Sequence, residues 1–501
     1  MIRSLACLLL QICCLILPNH VLATSPNSIH YNVEIVQGSS ERLKVEMQFL
    51  AKPDEGQVQL QIPEWAPGDY HLQDFAKYIR NVQANTQSGE ALPVVQADNN
   101  TWTVHINHQE IVHLGYDVLS EPAGIFSPNV RFRTNQVFWN GPAVYLYIVN
   151  EKNINVSLHI AAPAGWIVAS PLATRSNGDF YANNYDDLAD SPALAAQRDA
   201  IVEQDFTAFG VVHRVLFFGH IQNLGNIAPY VRALNKIVVV ENQIMGVTPY
   251  PRYIFFFDVE GGGGGLEHHD SARLVFWPGM SIKSFGAFAG HEFFHLWNVK
   301  RIRPLLLGPF DYIHPPHTRS LWFAEGITDY YAWRALLLAR LISPEEYIAH
   351  WKEQVQALQS DPARLRVSAE EASYRVWDGG NSEGYGGLSY YLKGSLIGLC
   401  LDLTLRYETN GRRSLDDLMR LLYKKYSPPH PGYTADELRA AYSEVAGVDM
   451  DNFYDQTARL PGELPFAKCL SYVGLDLDFK PLEDSTRIQR TLLSEWLDNQ
   501  N

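Results

Sequence analysis

The sequence predicts an α+β multidomain chain: an N-terminal β-sandwich-like domain, then a mixed strand-and-helix domain, then a helical C-terminal lobe. Three observations carry this reading. From about Ile29 to Ala200 the chain runs in short alternating or β-branched segments bounded by turn formers. Near residue 205 the pattern changes to strand, helix, strand and a glycine run. From Pro344 to about Tyr454 it is mostly helical in period. The boundaries that follow are 1–23 for a leader, 24–203, 204–390 and 391–475 for the three units, and 476–501 for a charged tail.

In the first unit, Gln57-Val58-Gln59-Leu60-Gln61-Ile62 alternates strictly between polar and apolar, and Val144-Tyr145-Leu146-Tyr147-Ile148-Val149 is β-branched and aromatic, so both read as strands. Pro63, Pro67-Gly68, Pro163-Ala164-Gly165 and Asp190-Ser191-Pro192 punctuate the segments, which argues for a sandwich. In the second unit we expect a strand from Val211 to Phe218, a helix from roughly Ala228 to Met245, a strand from Tyr253 to Val259 and a helix from about Ile282 to Val299. Gly286 and Gly290 each weaken that last helix by ~1 kcal/mol relative to Ala, so close packing against a neighbour is their expected reason. Tyr390 to Tyr407 and Ser414 to Tyr426 are the clearest later helices, the second opening with acids as the helix dipole favours.

At 501 residues, 46% of them hydrophobic, the chain has length for roughly three domains of ~150 residues. Its net charge of −15 argues against nucleic acid or anionic lipid as partner. Arg3, an apolar run from Leu5 to Leu17 broken by Gln11, and Val21-Leu22-Ala23 read as a cleavable signal peptide, placing the mature chain in the periplasm or outside the cell. The run is shorter than the ~20 residues a membrane span requires, so stable insertion is not expected. Cys7, Cys13 and Cys14 would leave with the leader; Cys400 and Cys469 remain, with one disulfide or none as the alternatives.

The chemistry concentrates in His291-Glu292-Phe293-Phe294-His295, followed by Trp322-Phe323-Ala324-Glu325-Gly326. Residues four apart share a helix face, so His291 and His295 can converge on one zinc ion while Glu292 reaches its water. Glu325 can close the site from a second helix, and three protein ligands leave the fourth tetrahedral position open, as a catalytic zinc needs. Asp329, four residues after Glu325, is placed to accept the second N–H of a ligand histidine. His268 and His269 are competing metal candidates, with a polar or outer role preferred because adjacent imidazoles on an extended segment point to opposite faces. Lys300, Arg301 and Arg303 read as capping the helix end and pairing with acids, with a substrate carboxylate as the alternative. Trp65, Tyr70, Phe75 and Tyr78 read as core or domain-interface residues.

Four segments resemble the glycyl aminopeptidase family of zinc metallopeptidases: Gly264-Gly265-Leu266-Glu267-His268, His291 to Pro304, Trp322 to Tyr331, and Ser389 to Gly394. Pro63 to Tyr70 matches the same family. The resemblance implies a thermolysin-like zinc peptidase domain in the middle of the chain, zinc held by His291, His295 and Glu325, and Glu292 as base. It is also similar to the larger aminopeptidase superfamily, in which a Gly-x-Met-Glu-Asn glutamate binds the substrate's amino terminus; Glu267 matches it, with Gly264 and Gly265 beside the substrate backbone. A tyrosine in Tyr-x-Lys-Gly donates to the oxyanion there, and Tyr391 occupies that place, with Tyr390 as the fallback. Family members often continue into a PDZ domain; the residues after Leu475 are too few for one.

The expected function is zinc-assisted hydrolysis of the first peptide bond of peptides, with N-terminal Gly or Ala as the preference the family implies. The alternatives are an endopeptidase of the same fold and a peptide-binding protein without turnover.

Overall fold

The computed structural model describes residues 28–38, 41–120, 129–260, 264–380 and 384–497; the leader, its three cysteines and Gly261 to Gly263 lie outside the described residues. The N-terminal unit is built on an eight-stranded sheet and two four-stranded sheets. Its longest strands, Arg42–Ala51 and Glu110–Leu119, pair antiparallel and alternate buried with exposed residues. One face therefore closes on a core that includes Val45, Met47, Leu114 and Tyr116.

Gln57–Gln61 forms a strand, but the segment 144–149 does not: only Tyr147–Ile148 is paired in a ladder. Its neighbours are fully buried, and their carbonyls are served by side chains instead. Tyr116 donates to Val144 O at 3.0 Å, Tyr185 to Tyr145 O at 2.6 Å and Tyr31 to Leu146 O at 2.6 Å. Three tyrosine hydroxyls thus satisfy backbone acceptors that a strand neighbour would otherwise pair.

The second unit is a mixed sheet in which Val211–Gly219, Tyr253–Val259 and Ser271–Phe276 run parallel, and Gly265–His268 joins antiparallel at one edge. The three parallel strands are near-continuous apolar runs, as expected when both faces are covered. The helix Ala228–Met245 ends at Gly246 in the left-handed conformation. Ile282–Phe294 packs against it and against Ile327–Leu338, where a Cβ on Gly286 would lie 2.5 Å from Leu336 Cδ2. Ile282–Phe294 is shorter than the sequence predicts: beyond His295 the chain turns, because the Asn298 carbonyl accepts from His295 Nδ1 and the Asn298 amide donates to Phe323 O and Ala324 O.

Glu325 enters not on an α-helix but on a π-helical turn, Trp322–Gly326, that runs into Ile327–Leu338. Such turns re-aim side chains and are frequent at functional sites. The C-terminal lobe contains Tyr390–Glu408 and Leu415–Tyr426, the latter opened by a capping box between Ser414 and Asp417. Cys400 and Cys469 are both free thiols and buried.

The stretch after Leu475 is not merely a charged tail. Arg487–Leu497 is a helix that buries Leu492 and Trp496, four residues apart, and the Trp496 carbonyl accepts from Arg334 at 2.8 Å. The surrounding Arg, Gln, Asp and Glu residues mask this short apolar stripe in the sequence. No helix among the described residues is long and apolar enough to cross a membrane.

Candidate active site

Three side chains from two elements meet at one point. The Nε2 atoms of His291 and His295 are 2.9 Å apart, and Glu325 Oε2 lies 3.5 Å from the first and 3.1 Å from the second. Outer partners set the orientation of each imidazole. His295 Nδ1 donates to the Asn298 carbonyl at 2.7 Å and His291 Nδ1 faces Asp329 Oδ1 at 2.8 Å. With both Nδ1 atoms so engaged, both Nε2 atoms and a carboxylate oxygen converge, an arrangement that a shared cation or a proton relieves. Burial works against charge on both histidines, yet Asp329 and Glu325 push His291, and Glu325 pushes His295, above the usual imidazole range. Burial likewise opposes ionisation of Glu325, but His295 and His291 hold its carboxyl well below the usual range. A cluster with two imidazoles and one carboxylate fits zinc.

Glu292 stands beside this cluster. Burial pushes its carboxyl up to about 7, and Oε2 has no hydrogen-bond partner among the described residues. That range suits a group which takes and returns a proton near neutrality. The edge strand presses directly on it: a Cβ at Gly265 would lie 2.0 Å from Glu292 Oε1, so only glycine allows this approach. Gly264 and Gly265 line the cleft with His291, Glu292 and Tyr391. The Tyr391 ring is half-buried in that cleft, 6.0 Å from the His291 ring and tilted by 25°, whereas Tyr390 is fully buried behind it.

The second oxygen of Glu325 has a partner that the sequence reading missed. Tyr70, from the N-terminal unit, donates to Glu325 Oε1 at 3.1 Å, across 255 residues of chain. Its hydroxyl belongs to the site and not merely to a core or interface. The one signal available in the sequence was its place at the end of Pro63 to Tyr70. Trp65 and Phe75 are fully buried, and Trp65 Nε1 donates to Asp311 O at 2.8 Å.

Glu267 occupies a separate, smaller chamber of about 70 Å³, lined also by Trp65, Gly68, Tyr70, Asp190 and Lys300. Its carboxylate lies against Gly68, and Oε1 is buried without a hydrogen-bond partner among the described residues. Lys300 pairs with acids, as the sequence reading expects, and its side chain does so away from the helix end. Its Nζ donates to Asp190 Oδ1 at 3.1 Å and lies 3.8 Å from Glu267 Oε1. His268 joins the same Asp190 through Nδ1 at 3.0 Å, and His269 sits beside Asp270, so neither is in the metal cluster. Burial would raise the Asp190 carboxyl, but Lys300 and His268 hold it down to about 2. Arg301 does serve the helix end, donating to Leu296 O at 2.9 Å, and Arg303 donates to Pro431 O at 3.0 Å. Asp190 belongs to the N-terminal unit, so both domains wall the chamber.

The triad in an open cleft, with an edge strand and a carboxylate base beside it, defines a metallopeptidase site. The Peptidase M61 N-terminal domain matches residues 30–197 and the M61 glycyl aminopeptidase domain matches residues 284–397, together more than half of the sequence. The chain belongs to the M61 glycyl aminopeptidase family and is a peptidase. No curated protein matches it in sequence. Among solved structures, an aminopeptidase N family protein from Idiomarina loihiensis is 25% identical with a TM-score of 0.82, covering 89% of this chain and 78% of that one. An M1 zinc metallopeptidase from Deinococcus radiodurans shares the fold at 11% identity and a TM-score of 0.52, covering 95% of this chain and 94% of that one. A variant of that enzyme bound to a Tyr-Ser-Ala substrate aligns at 11% identity and a TM-score of 0.53, with the same coverage.

Proposed function

We propose that this chain is a zinc aminopeptidase that removes small residues, glycine or alanine, from the amino terminus of peptides. One observation carries the reading: the triad's cleft of about 800 Å³ adjoins, through the shared walls Gly68 and Tyr70, a chamber of about 70 Å³ at Glu267. The chamber has room for a few waters or for an amino terminus with a small side chain. The cleft has room for the rest of a peptide.

His291, His295 and Glu325 would hold a zinc ion, which would supply Lewis acidity when bound. Glu292 takes the proton of the attacking water and returns it to the departing amine. The Tyr391 hydroxyl donates to the oxygen on which negative charge develops. Glu267 Oε1, which makes no hydrogen bond and only a 3.8 Å ion pair with Lys300, receives the substrate ammonium, which places the scissile carbonyl one residue further on, at the triad. Peptides are the expected partners, and the leader-like residues 1–23 support a periplasmic or secreted location.

A panel of Gly-, Ala-, Leu- and Phe-anilides, each with an N-acetylated control, tests the reading. Free Gly and Ala substrates are expected to be cut fastest and acetylated ones scarcely at all. Chelation, verified by elemental analysis, is expected to abolish turnover and zinc to restore it. Equal cleavage of acetylated and free substrates, or internal cuts in long peptides, would favour an endopeptidase.

A further inference from the structure

The cleft of the triad is also lined by Phe288, Trp333 and His350, which the steps above do not use. Phe288 lies three residues before His291 on one helix, and Trp333 lies four residues after Asp329, the partner of His291, on the other. Each is therefore about one helical turn, ~5 Å, beyond the metal end of its helix. An extended peptide rises ~3.3 Å per residue, so these side chains meet the first or second residue after the scissile bond.

Trp333 is half-buried, and its ring stacks on His350 from the helix Pro344–Ser360 with centroids 3.4 Å apart and planes within 11°. Burial, with Lys283 nearby, pushes the His350 imidazole down to about 3, so the pair is flat and uncharged near neutrality. Among the described residues lining the cleft there is no lysine or arginine, while Asp69 and Asp329 are both present. The lining here thus offers aromatic faces, and the nearby Lys283 ammonium is already paired with Glu346 at 3.9 Å.

We propose that Trp333 and His350 form a leaving-group subsite that takes an aromatic side chain just downstream of the cleaved bond. This deepens the aminopeptidase reading and rests on it for the direction in which substrate lies. Aromatic pairing and the added apolar burial set the expected gain at about tenfold or more over alanine.

The test compares Gly-Phe-Ala, Gly-Ala-Phe, Gly-Ala-Ala and Gly-Asp-Ala by kcat/KM. One of the two aromatic peptides should exceed Gly-Ala-Ala about tenfold, and Gly-Asp-Ala should be the poorest. In Trp333→Leu and His350→Ala the aromatic advantage should vanish while Gly-Ala-Ala turnover stays within about twofold. Calorimetric binding of the same peptides to zinc-loaded Glu292→Gln reads the preference without turnover. If no glycyl peptide is cut but aromatic peptides still bind tighter, the aminopeptidase reading fails and the subsite stands. Equal binding of all four peptides, or equal losses on every peptide in both variants, overturns the subsite.

Discussion

The two sides of the triad are built differently. The Glu267 side is a small chamber of about 70 Å³ walled by residues from both domains: Trp65, Gly68, Tyr70 and Asp190 from one, Glu267 and Lys300 from the other. The Trp333 side is a cleft of about 800 Å³ walled largely by helices of the catalytic unit and the C-terminal lobe. The small chamber exists only where the two domains pack, whereas most of the cleft is built by the helices themselves. The same triad without the N-terminal unit would lack half the walls of the chamber.

The largest expected effect leaves both sides intact. Glu292→Gln should keep the metal, the fold and peptide binding but lower kcat by about 10²–10⁴-fold. Stopped assays with metal analysis check it, and near-normal turnover would place the base elsewhere. Glu267→Ala removes the asymmetry itself. Loss of one partner from a desolvated charge pair costs about 2–5 kcal/mol, so kcat/KM for free-amine substrates should fall by the corresponding factor, with acetylated peptides unaffected. If both substrate classes fall together, Glu267 is structural.

Gly265→Ala sharpens the comparison at the strand between the two sides. The added methyl meets Glu292 Oε1 at 2.0 Å, and displacing a catalytic group by about 1 Å costs roughly 10²-fold in rate. A variant with unchanged kcat would show that strand and carboxylate part easily. The smallest effect should come from Tyr70→Phe, which removes the hydrogen bond to Glu325 Oε1. Losing an outer partner of a metal ligand typically weakens metal affinity 10–100-fold, measurable by chelator competition. Unaltered affinity would leave Tyr70 as a wall residue only.

Much of the site was legible because its geometry is local. His291 and His295 are four apart, and helical spacing alone puts them on one face, whereas Glu325 reaches them from a π-helical turn that this spacing rule does not describe. Ala228–Met245 and Tyr253–Val259 were equally readable, since their apolar patterns are long and their ends carry a glycine or turn formers. The segment 144–149 was misread because strand propensity does not say which partner fills a carbonyl; three tyrosine hydroxyls do so here. The helix Arg487–Leu497 was missed because the charged composition of residues 476–501 obscures a helical period that is present, Ile488, Leu492, Leu493, Trp496 and Leu497, of which the structure buries Leu492 and Trp496 against Arg334 and Tyr330.

The sequence by itself therefore marked the residues that meet: two histidines one helical turn apart, a glutamate beside them and a second glutamate in a following motif, a set whose chemistry fits zinc. Only the tertiary structure decided that Tyr70 holds the second oxygen of Glu325, that Lys300 and His268 share Asp190 beside Glu267, and that a chamber of about 70 Å³ walled by both domains adjoins a cleft of about 800 Å³. Those contacts join residues tens to hundreds of positions apart. Their existence depends on how two separately patterned cores dock, and no local periodicity encodes docking.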